Sequence, residues 1–446
     1  MRGFVDAGPI SAAGAMVRVT RKNPAAIRRP ILANPLIVVA LLVLAVIRII
    51  SIGARLPARA SRWDFSHYYL SALMLREGGD PYHTDLTPLG RKLGLQTDEI
   101  NRATYPPTFL LCFEPLTRLA PRPAYWIWFG INLGALILAL TMLLGPGSGI
   151  DARIAPALIA ITVLYTPLWF HFFYAQCQLI ILVLLIFAMR AVRRGAGRTA
   201  GLLIAAAALL RVFPAVVAGY FIARRDWRAL GWTIAGAMAG GLVTLTLVGV
   251  RRSFGFLDIL GLIQSPVWLD LPTNIAWRAV VGRTFAFISG PSPGRWNLIA
   301  QVGIFVIGEV LLLGLTLRAT MVPAGTPDPD SRAYSLWVAG SIILSPTAWL
   351  HYLVLLYLPM LCLIAAASAG RASRRAVIGS IVSYMILTVA PVAVRIAPTR
   401  LAIAVVTALR ESVFVALLVA FIALYWFATD ENVNPAANAP EGDQSA

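Results

Sequence analysis

An all-α polytopic membrane protein is the fold class this sequence predicts, and three observations carry that reading. Apolar residues fill 59% of the 446 positions and charged residues only 13%, about half the charged share of an ordinary soluble domain. Mean hydropathy is +0.76. Stretches at 31–51, 125–144, 231–250, 298–317 and 401–427 are each apolar over roughly the 20 residues a helix needs to cross a bilayer. No water-soluble fold needs so many.

The same composition excludes several function classes. A net charge of +18 and a pI of 10.7 would suit nucleic acid if the basic side chains lined one polar face, but they fall in short clusters between apolar runs. Clusters of that kind mark the cytoplasmic ends of spans, so the charge speaks of topology and no nucleic-acid partner is expected. Cys112, Cys177 and Cys362 form neither a CxxC pair nor a zinc spacing and read as small core residues. His67, His83, His171 and His351 show no HxxxH or HExxH spacing, and there is no P-loop, dinucleotide fingerprint or Ser-x-x-Lys. Neither a metal site nor a cofactor is expected.

The elements follow in chain order. Residues 1–30 form a basic segment (Arg18, Arg21, Lys22, Arg28, Arg29) expected to stay inside. No A-x-A-like cleavage site follows, so 31–51 is expected to be a retained first helix that exits on the outer face. A polar loop runs from about 53 to 107. Within it Phe65, Tyr69, Ala72 and Leu73 have helical spacing, Gly78-Gly79 ends that helix, and Asp80-Pro81-Tyr82 makes a turn. After Tyr105-Pro106-Pro107 a short apolar run reaches Ala120, broken by Pro115, Pro121 and Pro123, and helices follow at 125–144, 154–173 and 179–189.

The clusters Arg190, Arg193, Arg194, Arg198 and Arg224, Arg225, Arg228 flank 200–223. With both inside, that segment turns back near Arg211-Val212-Phe213-Pro214, where proline breaks a helix. The alternative is a single crossing that violates the charge rule at one end. A second long polar stretch, 251–297, carries Trp268, Trp277 and Trp296, suited to an interface belt. The Pro- and Asp-rich linker 323–332 reads as a solvent loop, and Leu344-Ser345-Pro346-Thr347 interrupts a later apolar stretch. The tail 429–446 is polar and acidic and reads as disordered. The total is about ten to thirteen helical segments, with 31–428 forming one transmembrane domain.

Lipid offers no hydrogen bonds, so broken backbone and ionisable groups at membrane depth mark wet cavities. Asp64, in Trp63-Asp64-Phe65-Ser66-His67-Tyr68-Tyr69, either takes the proton of a sugar hydroxyl or caps the helix that follows. Arg211, between two apolar halves, suits a phosphate, whose oxygens a guanidinium grips as a fork; a snorkelling Arg at a helix end shows the same pattern. His351, after the Ser-Pro break, serves a site or a structural hydrogen bond. Gln176 and Gln178, near His171 and Tyr174, form a polar island that lines a site or bridges helices.

Taken in order, these islands resemble glycosyltransferase family 87. Asp64-Phe65-Ser66-His67-Tyr68-Tyr69-Leu70-Ser71-Ala72, Gly79-Asp80-Pro81-Tyr82, and Tyr105-Pro106-Pro107 with Pro115-Leu116 and Leu119 are similar to its opening signature. Ala175-Gln176-Cys177-Gln178 is similar to its Gly-Gln-x-Asn element, and Ala208-Leu209-Leu210-Arg211-Val212-Phe213-Pro214 to its Leu-Lys-x-x-Pro element. Asn274 and the run from Leu344 through Trp349 to Tyr352 match later elements, so the likeness spans roughly 37–370. Gln178 stands where Asn is usual and Arg211 where Lys is usual; the changed donor geometry bears on which sugar is taken.

The resemblance implies a GT-C-type bundle in the inner (plasma) membrane, its site on the periplasmic side beneath the outer loops 53–107 and 251–297. It implies a sugar donor, mannose in the family, carried on a polyprenyl monophosphate. An envelope lipid or glycan would be the acceptor, and transfer would invert the anomeric centre. Asp64 would be the base, with Arg211 and His351 holding the charge on the leaving phosphate. Tyr68, Tyr69, Tyr105, Gln176, Gln178, Asn274 and Trp349 are the other candidate donor- and substrate-binding residues. Two rival classes share the bundle: a transporter or flippase of lipid-linked substrates, for which two related halves would be expected and no repeat is seen, and a non-catalytic scaffold subunit.

Overall fold

The structure is a computed structural model, and it describes residues 31–59, 63–96, 102–263, 271, 274–289, 295–321, 328–396 and 403–430. The basic segment 1–30, Trp268, positions 323–327 of the linker and the tail beyond 430 lie outside the described residues. The chain opens with α1 (Pro35–Gly53), started by Asn34, whose side chain accepts from the Leu36 amide at 3.0 Å. The first polar loop then holds two helices, α2 (Trp63–Arg76) and α3 (Thr87–Leu93), and the short apolar run after it begins with α4 (Pro107–Phe113). Beyond α2 the chain turns through Gly78 at φ +82°, a conformation that glycine adopts without a steric cost.

Of the prolines that interrupt the apolar run, Pro115 falls in a 3₁₀ turn over Glu114–Arg118 while Pro121 and Pro123 begin the next span, α5 (Pro121–Leu144), because the first helical turn has no use for the amide that proline lacks. The stretch expected at 154–173 is two helices, α6 (Ala155–Leu164) and α7 (Thr166–Phe173), bent by 55° where Tyr165 is extended and Pro167 enters the first turn. α8 (Gln178–Arg193) and α9 (Gly197–Leu210) follow.

Arg211 is extended (φ −149°, ψ 136°), and beyond it lie a 3₁₀ turn over Phe213–Ala218, α10 (Gly219–Ala223) and α11 (Trp227–Val248). A Cβ built on Gly197 would lie 3.2 Å from the Asp226 carboxylate. Entry and exit of this segment are therefore neighbours, and it folds back at Arg211 as a hairpin. The packing of α9 on α11 requires glycine at 201, where a Cβ would meet the Ala229 carbonyl at 2.3 Å. Both arginine clusters consequently share one end of the molecule, where Arg193 pairs with Asp328 at 3.6 Å and Arg224 with Asp330.

The second polar stretch, like the first, holds helices of its own, α12 (Val250–Ile263) and α13 (Trp277–Ser289), before α14 (Arg295–Thr320). Trp296 is exposed as an interface residue would be, but Trp277 donates to the Phe305 carbonyl at 3.2 Å and stacks on Phe414. The linker also needs correction at its end. Arg332 lies within α15 (Pro329–Ile343), 2% exposed, donating to the Phe427 and Arg371 carbonyls at 2.8 and 2.5 Å. After the break at 344–349, a 3₁₀ turn over Leu350–Leu356 leads into α16 (Tyr357–Ser368), followed by α17 (Arg374–Ile396) and α18 (Ile403–Thr429).

Of the eighteen α-helices among the described residues, seven are long and apolar enough to cross a membrane, or eight counting the bent α6–α7 pair. Eighteen exceed the ten to thirteen expected because the polar stretches hold their own helices and broken spans count twice. Residues 331–343 of α15 are all buried, as expected of a central helix. α1 and α14 instead turn most of their apolar surface outward, the side that lipid would cover. Cys177 is buried and Cys362 half-buried, but Cys112 is exposed, so it is no core residue.

Candidate active site

At the end opposite the arginine clusters, three breaks in the bundle converge. The α7–α8 turn supplies Gln176, the hairpin tip Arg211, the 344–349 break Thr347 and Trp349, the 3₁₀ turn after it His351, and the first polar stretch Asp64, Thr104 and Tyr105. They line a cavity of about 170 Å³ together with Phe170, Tyr174, Leu271, Leu350 and Tyr352, room for on the order of ten waters. Asp64 belongs to the first turn of α2 and accepts a hydrogen bond from the Tyr105 hydroxyl. Burial pushes its carboxyl above the usual carboxylate range, while the Tyr105 hydroxyl, His67 and Arg211 pull the other way.

Arg211 faces the same space. It donates to the Gln176 side-chain oxygen at 2.8 Å and the Tyr68 hydroxyl at 3.3 Å, and its guanidinium lies 4.3 Å above the Tyr105 ring. The Arg211 Nε and the His351 Nε2 are buried with no hydrogen-bond partner among the described residues. Buried polar nitrogens without a partner are costly, and both side chains belong to the cavity wall. Phe213 stacks on Tyr352 at 4.4 Å and ties the hairpin tip to the His351 segment.

Local backbone explains these placements. Ala175 adopts φ +51°, a left-handed turn that lets α7 end and α8 begin within four residues. The Trp128 indole fixes that turn by donating to the Ala175 carbonyl at 2.6 Å. Asn274 accepts from the Ala276 and Ala348 amides, both at 3.2 Å, and pairs in a single antiparallel bridge with Trp349. That contact pins the second polar stretch to the wall. It is secured in turn by Arg283, which donates to the Asn274 carbonyl at 2.9 Å and grips Glu411 of α18 with two hydrogen bonds.

The family model for glycosyltransferase family 87 matches residues 103–346. This chain belongs to that family. The glycosyltransferase is 27% identical over 394 residues to a polyprenol-phosphate-mannose-dependent alpha-(1-2)-phosphatidylinositol pentamannoside mannosyltransferase of Mycobacterium tuberculosis, covering 84% of each chain. It is also 27% identical over 275 residues to the protein of the same name from Mycolicibacterium smegmatis, covering 61% of this chain and 63% of the relative. No solved structure gives a significant match.

Among the residues expected at the site of this multi-pass membrane enzyme, Asp64, Tyr105, Gln176, Arg211, Trp349 and His351 line one cavity. Tyr68 stands one layer behind, donating to Gln176 at 2.9 Å. Gln178 is fully buried beside His171 and does not reach the cavity. Tyr69 points away, its hydroxyl on the Leu119 carbonyl at 2.6 Å, and Asn274 braces the wall from outside. Seven further lining residues were not among the candidates: Thr104, Phe170, Tyr174, Leu271, Thr347, Leu350 and Tyr352. Their polarity is ordinary, and only proximity to the breaks would have marked them.

Proposed function

We propose that this glycosyltransferase moves a mannosyl residue from a polyprenol-phosphate donor to a hydroxyl of a lipid or glycan acceptor, at the outer face of the plasma membrane and with inversion. One observation carries the reading: a carboxylate, a guanidinium and an imidazole, those of Asp64, Arg211 and His351, line a single cavity. The relatives' names supply the donor class and a phosphatidylinositol-based acceptor. The acceptor hydroxyl gives its proton to Asp64 and its oxygen bonds to the anomeric carbon. The bond from that carbon to the phosphate oxygen breaks, and the electron pair leaves with the polyprenyl phosphate. Arg211 and His351 hold the charge that gathers there.

Phosphate departs without an acid to protonate it, so one carboxylate suffices, unlike the pair a glycosidase uses. Asp64 is the sole carboxylate among the residues lining the cavity, which favours a single inverting displacement. The arginine-rich end would face the cytoplasm and the cavity the outside, with 31–428 acting as one catalytic domain. The reading is tested by incubating the purified protein with polyprenyl-phosphate [14C]mannose and membrane lipid extract. A labelled lipid or glycan product is expected; label that stays on the donor, or passes only to water, would overturn it.

A further inference from the structure

Tyr105 touches both halves of this reaction. It is 3% exposed, with its hydroxyl on Asp64 and its ring face beneath the Arg211 guanidinium at 4.3 Å. Few side chains could do both, because one contact needs a polar tip and the other an aromatic face. The chain holds it firmly. Its carbonyl accepts from the Tyr82 hydroxyl at 2.8 Å, its ring meets the Tyr68 ring edge-on at 4.4 Å, and Pro106 and Pro107 stiffen the backbone that follows.

We propose that Tyr105 is a positioning residue: its hydroxyl fixes Asp64 for proton abstraction while its ring seats Arg211 for the donor phosphate, so one side chain sets the spacing between base and leaving group. The proposal rests on the reading of Asp64 as base. With one carboxylate oxygen taken by Tyr105, Asp64 retains lone pairs for the acceptor proton. A hydroxyl donating to the ionised carboxyl also favours the form a base needs, against the burial that disfavours it. The competing account is that Tyr105 merely fills the aromatic cluster with Tyr68 and Phe109.

Two variants separate these accounts. Tyr105→Phe keeps the shelf and the packing but removes the hydroxyl. The acid limb of its pH–rate profile should move up by about one to two pH units, the worth of a hydrogen bond to a charged group. Transfer below that limb should fall about tenfold for each unit, with the KM for polyprenyl-phosphate mannose little changed. Tyr105→Leu removes both contacts and should add a raised donor KM to the same shift. Packing alone would move neither limb, and a melting curve for each variant checks that the fold survives. A Tyr105→Phe enzyme with an unshifted acid limb overturns the proposal, as does Tyr105→Leu with the native donor KM. Asp64→Asn run alongside separates the failures: if it still transfers sugar, the base reading falls; if it is inactive while Tyr105→Phe is unshifted, only the role of Tyr105 falls.

Discussion

Arg211 shows what a single residue carries here. An arginine between two apolar helical halves reads equally as a snorkelling end or a phosphate ligand, and its surroundings favour the second. Its partners Gln176 and Tyr68 are neutral, so its charge is not neutralised by them, and its Nε is empty. Arg211→Ala should therefore weaken use of the lipid-phosphate donor more than Arg211→Lys, because lysine keeps the point charge while losing the fork. Donor KM for the three proteins checks this, and equal values for Arg211→Ala and the unaltered enzyme would remove Arg211 from the site. Asp64, Arg211 and His351 were legible in the sequence because ionisable groups at membrane depth are rare. Tyr69 was not separable from Tyr68: neighbours on a helix point about 100° apart, and only the structure shows which one turns toward Gln176.

At the scale of elements, the long apolar spans could be read by length, and the fold-back at Arg211 from the matching charge of its two ends. The 55° bend at Tyr165 was hidden within one continuous apolar run, with Thr166-Pro167 as its only mark. α12 was read as polar loop because Arg251, Arg252 and Asp258 masked Phe254, Phe256 and Leu257 on the same helix. That helix is held to the first polar stretch by His83, whose ring bridges Asp80 at 2.9 Å and Asp258 at 3.0 Å, and by Arg252, which donates to the Gly78 carbonyl at 2.5 Å. Hydrogen bonds to Asp80 and Asp258 raise the His83 pKa above the usual histidine value. A raised folded-state pKa means the protonated bridge is in place at low pH and is lost as pH rises through that value. Backbone hydrogen exchange in 250–263 should accordingly quicken as pH rises once the intrinsic pH dependence is subtracted, and His83→Gln should abolish the effect. An identical pH response in the variant would show that His83 does not hold the helices together.

For the whole molecule, the breaks that line the cavity gather at one end and the two arginine clusters at the other, and the positive-inside rule gives that polarity a direction. In a background lacking Cys112, Cys177 and Cys362, Thr84→Cys should react with an impermeant maleimide in intact cells, and Arg225→Cys only after permeabilisation. Both positions are exposed, so access is set by the membrane alone; the reverse pattern would invert the topology. The central claim is that the cavity end performs the transfer through Asp64, and Asp64→Asn tests it most directly. The fold confines the other reading of that residue, since Asp64 lies inside the first turn of α2 with its carboxylate on Tyr105. Asparagine keeps the size and an accepting oxygen but cannot take a proton, so sugar transfer should fall by about 10²–10⁴ while the melting temperature in detergent stays close to that of the unaltered enzyme. Transfer by Asp64→Asn at near the unaltered rate would contradict the account.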